Sequence, residues 1–235
     1  LLIVFFLTQS CTNKVKKVDT TIPTTTVEKK PLFTLLSESE TNIHFQNTLE
    51  EGLNANVLVY EYLYNGGGVA TGDFNNDGWT DLYVANDYDE PDIMYYNNGN
   101  GTFRNVIDKN LKHISQFSMG TDTGDINNDG LMDLITLDMA SDDHYRSKTN
   151  MGSMSTEEFY KIVNSGKHYQ YMANTLQINN GNGSFSDVAS IAGIAKTDWS
   201  WAPLIADFDN DGFNDVFVTN GIEHDLSNQD FRNQM

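Results

Sequence analysis

One eleven-residue segment occurs three times, and it restricts the folds open to this chain more than any other feature. Gly72-Asp-Phe-Asn-Asn-Asp-Gly-Trp-Thr-Asp-Leu82 returns as Gly124-Asp-Ile-Asn-Asn-Asp-Gly-Leu-Met-Asp-Leu134 and as Ala206-Asp-Phe-Asp-Asn-Asp-Gly-Phe-Asn-Asp-Val216. Self-similarity at this scale points to a repeat architecture. A second unit, Asn97-Asn-Gly-Asn-Gly-Thr-Phe103, returns as Asn179-Asn-Gly-Asn-Gly-Ser-Phe185, and Asn-Gly between strand-like runs marks a tight hairpin. Each long loop is entered by a short run (Val69 to Phe74, Gly120 to Ile126, Pro203 to Phe208) and left by a β-rich one (Leu82 to Ala85, Leu134 to Leu137, Val216 to Thr219). One repeat therefore reads as four short antiparallel strands.

A lone four-stranded sheet cannot bury both of its faces, so repeats of this size must stack on one another. The expected fold is all-β: part of a β-propeller built from four-stranded antiparallel blades, over residues 32–235. Asp73 and Asp125 are 52 residues apart and Asp125 and Asp207 are 82 apart, so the second blade carries an insertion of 30 residues. It falls at about 139–172, where Ser155-Thr-Glu-Glu158 forms a capping box that opens a short helix and Gly166 can close it. Propellers use roughly 4 to 8 blades. Only two blades and the opening of a third fit here, so the chain is expected to be clipped at its C-terminus.

Within each loop, oxygen-bearing side chains recur at positions 1, 3, 5 and 9: Asp73, Asn75, Asp77 and Asp81; Asp125, Asn127, Asp129 and Asp133; Asp207, Asp209, Asp211 and Asp215. Gly78, Gly130 and Gly212 stand at position 6, where the chain must turn sharply, so the backbone carbonyls of Trp79, Leu131 and Phe213 at position 7 can point inward. Hard oxygen donors in that number suit Ca²⁺, and about three ions are expected. No loop offers a histidine or thiol, which disfavours zinc and copper. A helix–loop–helix calcium hand needs an acid at position 12, but Val84, Thr136 and Val218 stand there and continue strands. Asx-rich turns that merely shape hairpins, without metal, are the competing reading.

The loops resemble the FG-GAP or VCBS-type repeat, the calcium blade motif of integrin α-chain heads and many bacterial surface proteins. Among its groups the chain resembles the UnbV-like lipoproteins of Bacteroidetes-type bacteria. The resemblance implies that the metal is structural and holds the loop so that the blade keeps its shape.

Leu1 to Leu7 is apolar but far short of the ~20 residues a membrane-spanning helix needs. It resembles the core of a bacterial lipoprotein signal ending at Ser10-Cys11, which implies lipidation at Cys11. Residues 1–11 are then a signal peptide, expected to be clipped at its start because no initiator Met or basic segment precedes it. Residues 12–31, poor in aromatic and long apolar side chains, are expected to form a disordered tether. The implied location is extracytoplasmic, at the outer membrane or cell surface. Cys11 is the sole cysteine, which excludes an internal disulfide and a cysteine zinc cluster.

The net charge of −19 argues against a nucleic-acid partner. His44, His113, His144, His168 and His224 show no metal spacing, and neither a nucleophile elbow nor a phosphate-binding loop is present. The pattern leads to a calcium-stabilised binding module for a glycan, peptide or partner protein. Two alternatives stay open: part of a polysaccharide-degrading enzyme whose catalytic residues lie elsewhere, and a structural subunit of an outer-membrane assembly.

Overall fold

In the computed structural model, the described residues are 33–46, 48–54, 56, 58, 67–87, 90–149 and 155–221. The chain divides into Leu1–Leu35 and Leu36–Met235, and the architecture below is that of the second unit. The signal segment, the tether and Cys11 lie outside the described residues, as do Tyr60, Tyr62, Tyr64 and His224.

A short helix α1 (Glu38–Thr41) precedes the first repeat. Strands β1 (Val69–Gly72), β2 (Asp81–Val84), β3 (Ile93–Asn97) and β4 (Phe103–Asn105) then form a four-stranded antiparallel sheet in that order. Gly72 pairs with Asp81, so the first acidic loop is the connection between two register-locked strands. Helix α2 (Ile107–Asn110) and strand β5 (Ile114–Ser115) lead into β6 (Thr121–Gly124) and β7 (Asp133–Thr136), which bracket the second loop in the same register, Gly124 opposite Asp133.

The insertion starts with β8 (Met139–Ala140), continues through α3 (Arg146–Thr149) and α4 (Thr156–Asn164), and returns along β9 (Gln170–Tyr171). Ser155 caps α4 by accepting from Glu158 N–H at 3.1 Å, and Gly166 lies just past its end at φ +87°. The second sheet is completed by β10 (Thr175–Asn179) and β11 (Phe185–Asp187), giving the order β11-β10-β7-β6. β12 (Asp198–Ala206) and β13 (Asp215–Asn220) bracket the third loop, and β8 adds to the far end of β12. The result is a partial, propeller-like all-β fold of antiparallel sheets with few helices.

Two features depart from the simple blade scheme. β5 and β9 form a parallel ladder, in which Ile114 N–H donates to Tyr169 O and Gln116 N–H to Tyr171 O, so the insertion is stitched to the linker between the first two sheets. β12 is nine residues long and takes Trp199 and Trp201 into a strand, because its first residues find a partner in β8.

The sheets stack face to face through apolar contacts. Leu134 and Ile135 are adjacent on β7 and both fully buried, since side chains alternate across a strand and a sheet between two neighbours buries both faces. Leu134 and Phe185 join Phe74, Tyr83, Met94 and Tyr96 of the first sheet, with Phe74 and Phe185 edge to face at 6.3 Å. Ile135, Leu137 and Leu176 meet Ile205, Val216 and Val218 of the third. Each fully buried large apolar side chain contributes about 1.5–3 kcal/mol as an upper value.

The first strands of the repeats run side by side, β1 next to β6 and β6 next to β12. Their approach explains two glycines: a Cβ on Gly68 would lie 2.8 Å from Thr121 N, and one on Gly120 would lie 2.2 Å from Trp201 O. Because all strands within a repeat are antiparallel, the acidic loops and the Asn-Gly hairpins share one end of the fold. The linkers and the insertion gather at the other.

Candidate functional site

Each acidic loop is folded around its own carboxylates. In the first, Asp73 accepts from Asp77 N–H at 3.0 Å and Gly78 N–H at 2.8 Å, Asn75 Oδ1 accepts from Asp77 N–H at 3.0 Å, and Asp77 Oδ1 accepts from Trp79 N–H at 2.9 Å. The second loop repeats this set with Asp125, Asn127 and Asp129, ending on Leu131 N–H. The third repeats it with Asp207, Asp209 and Asp211, ending on Phe213 N–H. The position-6 glycines sit at φ +87°, +84° and +93°, which requires a residue without Cβ strain.

Asn76, Asn128 and Asn210 adopt left-handed φ of +57°, +58° and +62°. Asparagine tolerates that region better than other side-chain-bearing residues. Sequence reasoning gave these three no role, although their identity in all three copies was the signal.

The ninth position closes the loop from the strand side. Asp81 accepts from Phe74 N–H at 2.9 Å and from Asn97 N–H, at the end of β3, at 2.8 Å. Asp133 does the same with Ile126 N–H and Asn179 N–H, whereas Asp215 accepts from Phe208 N–H. The two repeated motifs thus meet at one carboxylate. They meet again at position 7, where the Trp79 indole covers Gly99 and Leu131 covers Gly181, so the hairpin glycines leave room for these side chains.

Burial pushes the Asp81 and Asp133 carboxyls above the usual carboxylate range; the backbone N–H groups pull them back, and the acids at positions 5 and 1 push them up again. Among the described residues no basic side chain pairs with any loop aspartate. Asp207, Asp209 and Asp215 bring carboxylate oxygens within 4.8 Å of one another, the one such acidic triad among the described residues. The first two loops have asparagine at position 3 and so bring fewer charges together.

These donors fit a hard divalent cation. Oxygens of positions 1, 3 and 9 converge in the third loop, no counter-charge neutralises them, and the carbonyls of Trp79, Leu131 and Phe213 accept no hydrogen bond among the described residues. The position-5 carboxylate is outside the triad and is held by the turn it caps. An ion there would supply charge compensation and loop rigidity, not a reactive group.

The loops are also tied across sheets. Asn128 Nδ2 donates to Gly212 O and Asn214 Nδ2 donates to Asp125 O, both at 2.8 Å, so the second and third loops hold each other reciprocally. Asn179 Nδ2, buried at the end of β10, reaches back to Phe74 O in the first loop at 2.8 Å.

Acidic groups outside the loops have local duties. Asp143 Oδ1 accepts from Arg146 N–H at the start of α3, and Glu157 and Glu158 lie in the first turn of α4, where negative charge is favourable. A family model described as FG-GAP-like repeat matches residues 73–136 and 162–218, just over half of the chain. No curated protein matches it.

Proposed function

Because the chain belongs to the FG-GAP-like repeat family, we propose that it is an extracytoplasmic binding module whose propeller-like sheets are stabilised by calcium in the three acidic loops. The observation that carries this reading is the uncompensated convergence of Asp207, Asp209 and Asp215. Three like charges brought so close repel one another unless a cation joins them. FG-GAP repeats are typical of extracellular proteins, and no helix among the described residues is long and apolar enough to cross a membrane.

In this reading the position-5 carboxylate turns from its cap to join positions 1, 3 and 9 and the position-7 carbonyl around the ion in each loop, and the ion is structural. The opposite end of the fold, where the insertion projects, is the recognition surface for a glycan, peptide or partner protein. We further propose that the chain is a lipoprotein of the UnbV-like type, tethered through Cys11; Cys11→Ala should release it from the membrane fraction, and unchanged membrane association overturns the tether.

Calorimetric titration of chelator-stripped protein with Ca²⁺ tests the central claim. About three sites are expected, with dissociation constants of roughly 10⁻⁴ to 10⁻³ M or tighter. Filling one site to 100 times its dissociation constant stabilises the fold by about 2.7 kcal/mol. Asp209→Ala should remove one site and part of that gain. A melting temperature indifferent to Ca²⁺ and to chelator would refute the proposal.

A further inference from the structure

In the first two sheets the strand that leaves the acidic loop is central: β2 lies between β1 and β3, and β7 lies between β6 and β10. β13 holds the same place in the third repeat, yet among the described residues it pairs only with β12 and stands at the edge of its sheet. Ala85 N–H and Leu137 N–H donate back to Gly68 O and Gly120 O. By alternation Val84 and Thr136, one residue earlier, turn their N–H and C=O groups toward β3 and β10. Val218 occupies that position in β13 and turns the same groups to the unpaired edge.

The polar groups beside this edge are open as well. Asp81 Oδ1 accepts from Asn97 N–H and Asp133 Oδ1 from Asn179 N–H, both at 2.8 Å. The side-chain amides of the same asparagines donate to Thr80 O and Met132 O, both at 3.2 Å. In the third repeat Asp215 accepts from Phe208 N–H through Oδ2, while Asp215 Oδ1 and Asn214 O have no donor among the described residues. The apolar side chains follow suit. Tyr83 and Ile135, which face Met94 and Leu176 in the ladders, are 1% and 0% exposed. Phe217, at the equivalent position, is 55% exposed, and its ring lies 6.1 Å from that of Phe208, which is 53% exposed. An edge strand with an uncovered apolar face is a template for pairing with another strand.

What fits such an edge is written twice in the chain. The strand beside β2 reads Met94-Tyr-Tyr-Asn97 and continues as Asn98-Gly99; the strand beside β7 reads Leu176-Gln-Ile-Asn179 and continues as Asn180-Gly181. Each puts a large apolar residue, buried in both sheets, opposite the β2 or β7 side chain, and three positions later an asparagine that reaches the ninth-position carboxylate. Asn-Asn-Gly occurs nowhere else in the sequence, and both copies are already paired within their own sheets. A second copy of this chain therefore has no such strand to lend.

We propose that the open edge of β13 docks an antiparallel β-strand of a separate polypeptide, in which a large apolar residue meets Phe217 and an asparagine three positions later is followed by Asn-Gly. That asparagine donates its N–H to Asp215 Oδ1 and its side-chain amide to Asn214 O, as Asn97 and Asn179 do in their own sheets. The inference goes beyond the calcium-stabilised module: it stands on strand pairing, whichever ligand the opposite end of the fold takes.

The test uses the full 235-residue chain with Ca²⁺ in excess and a fluorescently labelled, end-capped peptide with the sequence of residues 174–187, read by anisotropy. The expected result is saturable binding with a dissociation constant below about 1 mM. In the peptide, Leu176→Asp should weaken binding roughly 10-fold or more, and Asn179→Ala should weaken it roughly 5-fold. In the protein, Val218→Pro removes an outward N–H and leaves the bonds to β12 in place, a change that edge strands tolerate, and it should weaken binding roughly 10-fold or more while circular dichroism stays that of the parent. The two peptide variants decide the matter even where Val218→Pro does not fold. No binding at about 1 mM peptide, equal binding of a scrambled peptide, or peptide variants that bind like the parent would each overturn the proposal. So would light scattering that shows a dimer broken by Val218→Pro, because the edge then belongs to β13 of a second copy.

Discussion

Asp92 sits 1% exposed at the start of β3, with its carboxyl turned toward the linker that enters the second sheet. Oδ1 accepts from Asn86 N–H at 2.8 Å, and Oδ2 accepts from Ser118 Oγ at 2.9 Å and from the Tyr83 hydroxyl. Burial raises its pKa from the usual 3.8 to about 7; the three hydrogen bonds oppose that rise and the nearby Asp138 carboxylate adds to it. Between these two values the folded chain keeps a proton that the unfolded chain has released. Asp92 therefore favours folding most below pH 4, and that contribution is lost as pH climbs toward 7, by about 1.4 kcal/mol per unit and about 4 kcal/mol in all.

Asp92→Asn replaces the acid with a neutral group of the same shape. The second sheet already has asparagine there: Asn174 stands in the matching place, and its Oδ1 accepts from Asp138 N–H at 2.7 Å. Urea unfolding followed by tryptophan fluorescence, with Ca²⁺ in constant excess so that the acidic loops stay in one state, gives the stability of both proteins from pH 5.5 to 7.5. The variant should gain roughly 2 kcal/mol on the parent across that range. Parallel curves, or a parent that gains on the variant as pH rises, would show that Asp92 is ionised throughout and the reasoning wrong.

Two further perturbations probe how the sheets are joined. Gly120→Ala places a Cβ 2.2 Å from Trp201 O, with backbone on both sides of the clash, and should cost about 1–3 kcal/mol in chemical denaturation; Gly183→Ala, with nothing within 4 Å but φ +78°, should cost less. Asn179→Ala removes the donor to Phe74 O and should lower stability by about 1–2 kcal/mol, with faster amide hydrogen exchange in the first loop as its local signature.

The acidic loops and most strand positions were legible because their signals are local. Asp at position 1, Gly at position 6 and a β-rich exit satisfy one turn within eleven residues, and each copy repeats the others' hydrogen bonds. The helix opened by Ser155 was legible for the same reason. What escaped is long-range. The β5–β9 ladder joins segments of two residues each, too short to carry a periodic pattern. Asn179 reads as a turn residue, yet its side chain crosses to the neighbouring sheet. Asp92 and Asp138 look like ordinary surface acids until the linker at 115–118 folds over both and supplies Ser115 and Ser118 as donors. Hydrophobic alternation says which face is covered, but not which polar atoms are sealed beneath it.

The paired asparagine bonds between the second and third loops bear on the order in which ions would enter. Ordering the turn at Gly212 fixes the acceptor of Asn128, and ordering Asp125 fixes the acceptor of Asn214, so each loop spends less conformational entropy once its neighbour is set. Occupancy of these two would then rise together, with a Hill coefficient above one, while the first loop, which has no such reciprocal pair among the described residues, fills on its own curve.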